Sequence, residues 1–162
     1  MLFPYLPRSF SFWQPLSCQV LTHLCPSVSN GSAWDDTLIG DGKNNIFLGE
    51  TGNDLIHGNL GDDNLDGEDG EDNILGDEGN DNCLGGLGSD TIEGNLGNDA
   101  IFGDSGEVYL NLSSKFTTND LIKGGEGKDL LIGEIGNDRL EGGEDNDVLY
   151  GDDSALFYIG HK

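Results

Sequence analysis

One apolar side chain recurs every nine residues along most of this chain, set among glycines and polar residues. From Gly49 six segments follow without a break: GETGNDLIH, GNLGDDNLD, GEDGEDNIL, GDEGNDNCL, GGLGSDTIE and GNLGNDAIF. The register runs back through GDGKNNIFL at Gly40 to GSAWDDTLI at Gly31, and forward through GGEGKDLLI at Gly124, GEIGNDRLE at Gly133 and GGEDNDVLY at Gly142. One copy is interrupted. It begins as GDSG at Gly103 and resumes as NDLIK at Asn119, leaving Glu107 to Thr118 as a twelve-residue insertion. Twelve is not a multiple of nine, so the insertion must be looped out for the later copies to keep phase.

Position 8 of the repeat is apolar in all twelve copies: Leu38, Phe47, Ile56, Leu65, Ile74, Cys83, Ile92, Ile101, Ile122, Leu131, Leu140 and Leu149. One apolar residue in nine cannot form the stripe of a helix, which needs three or four per two turns. It fits a short extended segment at positions 7 to 9 whose middle side chain points inward. Positions 1 to 6 then read as a turn. Gly occupies position 1 in every copy and position 4 in nine, with Trp34, Lys43 and Asp145 as exceptions. Glycine opens backbone angles closed to other residues, and the Asn that recurs at position 5 tolerates the left-handed region. Two such units make one coil of eighteen residues. Stacked coils predict an all-β fold, a right-handed parallel β-roll (β-solenoid), in which each repeat buries its apolar residue only when a neighbour covers it.

Position 6 is Asp in eleven of twelve copies: Asp36, Asp54, Asp63, Asp72, Asp81, Asp90, Asp99, Asp120, Asp129, Asp138 and Asp147, with Asn45 as the exception. Residues eighteen apart become neighbours about 4.8 Å apart along the stack. Asp36, Asp54, Asp72, Asp90, Asp120 and Asp138 therefore predict one column, and Asn45, Asp63, Asp81, Asp99, Asp129 and Asp147 the other. Ionised carboxylates at that spacing repel by roughly 3 kcal/mol at an effective dielectric near 20. Several Ca²⁺ ions between successive turns answer this repulsion, because Ca²⁺ mixes carboxylate with carbonyl oxygens in flexible geometry. Mg²⁺ demands tighter geometry, and no His or Cys recurs at the period to hold zinc. A core one residue deep per repeat predicts a chain unfolded without the ion and folded with it.

Charge narrows the choice of partner further. The 162 residues hold 7 basic against 31 acidic side chains, a formal charge of 7 − 31 = −24. That argues against nucleic acid and anionic lipid as partners, whose phosphates would be repelled. Residues 1–30 are different material. They hold all four prolines and no Asp or Glu, and read as an unstructured or leader-like extension. Residues 31–153 form the repeat domain, with 107–118 as its insertion loop, and 154–162 a short tail. No apolar run is long enough for a transmembrane segment.

The repeat resembles the RTX family, the hemolysin-type calcium-binding nonapeptide G-G-x-G-x-D-x-U-x. The resemblance implies calcium held between adjacent turns by the eleven position 6 aspartates together with backbone carbonyls. It also implies a secreted, extracellular module that folds on meeting calcium. Position 2 departs from the pattern, being Gly only at Gly86, Gly125 and Gly143. Trp34, Lys43 and Asn45 weaken the first coil.

No catalytic set or phosphate loop appears in the sequence, so the chain reads as a non-enzymatic binding module. The alternative is the repeat fragment of a larger exoprotein, with a missing catalytic domain (protease, lipase or polysaccharide-modifying) or a toxin or adhesin region. Cys83, at an inward position, reads as a core residue. Cys18 and Cys25 with His23 between them are weak as a zinc site, having too few ligands, and a disulfide between the two is the other reading; His57 and His161 read as surface residues.

Overall fold

The structure, a computed structural model, describes residues 27–104 and 118–151 and the backbone of 156–157. The expectations for the extension before residue 27, for Cys18, His23 and Cys25, for most of the insertion and for His161 lie outside the described residues. Within them no helix forms, so none is long and apolar enough to cross a membrane.

Successive repeats alternate between two sheets. One sheet runs β1 (Val28–Ser32), β3 (Ile46–Glu50), β5 (Asn64–Asp69), β7 (Asn82–Leu87), β9 (Ala100–Asp104), β11 (Leu130–Ile132), β13 (Val148–Tyr150) and β14 (Leu156–Phe157). The other runs β2 (Thr37–Ile39), β4 (Leu55–Leu60), β6 (Asn73–Glu78), β8 (Thr91–Leu96), β10 (Leu121–Glu126) and β12 (Arg139–Glu144). Every pairing is parallel except that of β14, which turns back against β13. The result is a β-solenoid of about six turns, a parallel β-roll.

The register follows the coil. Ile56 pairs with Ile74 and Ile74 with Ile92, eighteen residues at each step. Across the insertion Ile92 pairs with Ile122, a step of thirty, so the inserted residues leave the phase untouched. The inward position 8 side chains fill the space between the sheets, and eleven of them are buried, Cys83 among them as a free thiol. Leu140 is only partly buried, because β12 ends its sheet and nothing among the described residues stacks beyond it.

Most strands run beyond positions 7 to 9, although β2, β11 and β13 keep to them. β4 reads LIHGNL, so pairing continues through the position 1 glycine to position 3. Positive φ occurs at position 4, at Gly52 and Gly61 among others and at Asp145, and also at position 2. Glu50, Asn59, Glu68, Asp77, Asn95 and Glu134 all have positive φ, between 68° and 78°. Gly86, which has the family's own residue at that place, has φ 112°. The position 2 consensus glycine is thus a backbone requirement that this chain meets with acids and amides.

Candidate metal centre

The position 6 aspartates lie immediately before the next strand, as Asp54 does before β4 and Asp63 before β5. The two columns form. In the first, the amide of Asp36 donates to Asp54 Oδ1 at 2.7 Å, Asp54 to Asp72 and Asp72 to Asp90 at 2.8 Å, Asp90 to Asp120 at 2.9 Å, and Asp120 to Asp138 at 3.0 Å. In the second, Asn45 donates to Asp63 at 2.6 Å, Asp63 to Asp81 and Asp81 to Asp99 at 2.8 Å, Asp99 to Asp129 at 2.9 Å, and Asp129 to Asp147 at 3.1 Å. Each carboxylate after Asp36 therefore reaches back one coil and receives an amide proton there. Ten of the eleven aspartates are buried, at 5% exposure or less, and Asp138 is half-buried.

The second carboxylate oxygen is left over. Oδ2 of Asp54, Asp63, Asp72, Asp81, Asp90, Asp99, Asp120 and Asp129 is buried without a hydrogen-bond partner. An orphaned carboxylate oxygen is a costly group that calls for a counterpart. Position 1 explains where it points. A methyl group on Gly49 would sit 2.6 Å from the carbonyl oxygen of Gly67, one coil on, and closer still to Asp54 Oδ2. The same convergence of a position 6 Oδ2 and the next coil's glycine carbonyl recurs at Gly58, Gly67, Gly76, Gly85, Gly94, Gly103 and Gly124. Position 1 is glycine because a side chain would fill the space between two oxygens, and it requires no left-handed backbone there.

The ends of the columns differ. Asp36 turns its Oδ2 to the amide and hydroxyl of Ser32 and leaves Oδ1 unpartnered. Asn45 accepts from the Asp41 amide and leaves its Nδ2 unpartnered. Beside Gly133 and Gly142 the nearest atoms are those of the Asp138 and Asp147 carboxylates.

Electrostatics agree with an incomplete site. Burial, chiefly, pushes the carboxyls of Asp72 and Asp129 up to about 6 and those of Asp81, Asp90 and Asp120 up to about 7. The amide bond to Oδ1 pulls each of these down, and neighbouring carboxylates of the column add smaller upward pushes. Desolvation, not mutual repulsion, is the larger cause. Burial likewise raises Asp54, Asp63 and Asp99.

Among the described residues no three His, Cys, Asp or Glu side chains gather closely enough to hold a metal by themselves. A cation here takes backbone carbonyls into its shell. Only hard oxygen donors converge at the orphaned Oδ2 atoms, which is the chemistry of Ca²⁺ and unlike that of zinc. The residues present fit that ion.

The family model of the RTX calcium-binding nonapeptide repeat (4 copies) matches residues 30–65, 48–83, 75–110, 117–149 and 132–155. The chain belongs to this RTX family. It is a calcium-binding repeat protein, built of RTX coils. No curated protein and no solved structure matches the chain.

Two features of the RTX coils escaped the sequence. At position 5, Asn does not adopt a left-handed backbone. Its side-chain oxygen accepts the position 5 amide of the following coil, as Asn53 Oδ1 does from Glu71 at 3.1 Å and Asn80 Oδ1 from Asn98 at 3.0 Å. Positions 5 and 6 thus reach in opposite directions along the stack. The second feature is Asp104, whose carboxylate is buried at the insertion.

Proposed function

We propose that this chain is a calcium-folded module of an exported protein, with ions seated between successive coils on both columns. The observation that carries the reading is the set of eight buried, unpartnered Oδ2 atoms, each beside a glycine carbonyl of the next coil. The residues that would hold the ions are Asp54, Asp63, Asp72, Asp81, Asp90, Asp99, Asp120 and Asp129. The carbonyls would come from Gly67, Gly76, Gly85, Gly94, Gly103, Gly124, Gly133 and Gly142. Asp36, whose Oδ2 is taken by Ser32, and Asp138 and Asp147 stand at column ends and would contribute weaker, more hydrated sites.

The charge of the ion neutralises two buried carboxylates at once and ties one coil to the next. The chain's own residues do the rest. Each Oδ1 is fixed by an amide, so its partner oxygen is aimed before any ion arrives, and the position 1 glycine keeps the space open. Because the carboxylates are spread through the sequence, the sites do not exist in an unfolded chain, and binding free energy becomes folding free energy.

An acidic chain of this kind suits an environment rich in calcium, which supports export and folding outside the cell. Carboxylates, carbonyls and amides make up the site, which supports binding and not catalysis as the role of these coils. Catalytic, toxin or adhesin activity would belong to other parts of a larger exoprotein.

Circular dichroism and calcium titration of the chain test the reading. Strand signal should be weak in chelator, appear with calcium, and fail to appear with the same concentration of magnesium. Full strand signal in chelator, unchanged by calcium, would overturn it.

A further inference from the structure

The insertion sets a geometric problem that the repeat itself does not solve. On the sheet of β5 and β7, strands continue through position 3. β11 stops at Ile132, position 9, opposite the coil that the insertion interrupts. The backbone ladder at positions 2 and 3 is therefore missing at this coil.

Asp104 stands at that break. It occupies position 2, and among the described residues it is the only side-chain-bearing residue at that position to be buried, at 5% exposure. Its backbone is not left-handed, unlike that of Glu50 and Glu68 on the same sheet. In an uninterrupted coil the position 3 amide bonds a backbone carbonyl, as Thr51 does with the position 2 carbonyl of Ser32 at 3.3 Å. At the break the position 3 amide of Ile135 donates to Asp104 Oδ2, at 2.9 Å. The carboxylate has taken over from its own carbonyl.

The hydroxyl of Thr118, which is 3% exposed, shares its single proton between Asp104 Oδ2, at 3.1 Å, and the carbonyl of Ile135. Thr118 is the re-entry point of the chain. Its carbonyl stands against Gly136, at 1.8 Å from where a methyl group would go, as the carbonyl of Gly61 stands against Gly79. Thr118 thus fills the place of a position 4 glycine, and its hydroxyl supplies the donor that a position 4 amide gives elsewhere, such as Gly61 to Glu78. Two residues later Asp120 enters the column in register.

We propose that Asp104 is a positioning residue that carries the first column across the insertion. It clamps Thr118 and Ile135 so that Asp120 meets Asp90 and Asp138. The ion count predicted for its loss rests on the calcium reading above, whereas the amide bonding does not.

The test is amide hydrogen exchange and calcium stoichiometry on the full chain, comparing wild type with Asp104→Ala, Asp104→Asn and Thr118→Val. Asp104→Ala should lower protection of the Ile135 and Asp90 amides at least tenfold and lose the calcium held around Asp120, while amides of β4 to β6 keep theirs. Asp104→Asn keeps an acceptor oxygen and should restore most of both. Thr118→Val, a milder change, should show the same local pattern if Asp104→Ala fails to fold. Unchanged protection at Ile135, or an equal loss in every coil with no rescue by Asn, would overturn the proposal. A wild-type chain that retains no calcium would sink the calcium reading alone, and the Ile135 exchange would still decide the role of Asp104.

Discussion

The amide of Asp81 donates to Oδ1 of Asp99 at 2.8 Å, one coil further on, and leaves Oδ2 of Asp99 buried with no partner. One carboxylate thus has two unlike oxygens, one that holds the stack together and one that waits for a cation. Substitutions can separate these duties.

Asp99→Asn keeps an oxygen that can accept the Asp81 amide but removes the charge. It should weaken calcium at the adjoining sites by at least about tenfold, which is about 1.4 kcal/mol. Asp99→Ala also strands the Asp81 amide, and should lower the free energy of unfolding in calcium by about 1–3 kcal/mol more. Asp147→Ala, at a column end, should cost less than either. Calcium titration with thermal melts checks the order, and equal effects at Asp99 and Asp147 would contradict the site.

Gly67→Ala alters no charge and no ligand. Its new methyl group would occupy the space between Asp72 and the Gly85 carbonyl, 2.6 Å from that oxygen. Calcium stoichiometry should fall at this place with the other coils still occupied. Isothermal titration showing the wild-type number of ions would count against a cation at that point.

Acid should replace calcium. Burial raises Asp81, Asp90 and Asp120 to about 7, above the ordinary value of about 3.9. Between those pH values the ion-free coil binds more protons than the unfolded chain, so whatever stability it has is fullest below the ordinary value and is lost as pH rises through about 7. Calcium must displace those protons, so its affinity should climb with pH over the same range and level off above it. Melts in chelator and calcium titrations from acid to neutral pH test both slopes. Ion-free stability that rises with pH would refute the assignment.

Glu68 has φ 68°, a backbone in which an L side chain is strained by roughly 1–2 kcal/mol. Glu68→Gly should relieve that strain, offset by about 0.4–1 kcal/mol of extra freedom in the unfolded chain. A net gain of about 0–1.6 kcal/mol should appear in calcium. Gly86→Ala, at φ 112° and crowded by the backbone of Glu68, should do the opposite. Urea unfolding in excess calcium measures both.

The period of nine made the stack legible. Ile74 and its eleven counterparts fixed the inner face, and the eighteen-residue spacing of Asp63, Asp81 and Asp99 fixed a column. What the period could not reveal was the direction of each polar side chain. Gly49 and Asn53 looked alike as turn formers. In fact Gly49 leaves room for oxygens within a strand, and Asn53 bonds the coil after it. Asp104 was hidden for a different reason. Its role depends on a break in the ladder, and a repeat alignment treats position 2 there as one more variable site.

The two sheets do not finish alike. β14 folds back along the edge of β13, whereas among the described residues β12 has no strand beyond it and Leu140 stays partly open. In a linear array each unit leans only on its neighbours. The coil should therefore fray first from the β12 side, unzipping toward the insertion before the earlier coils let go.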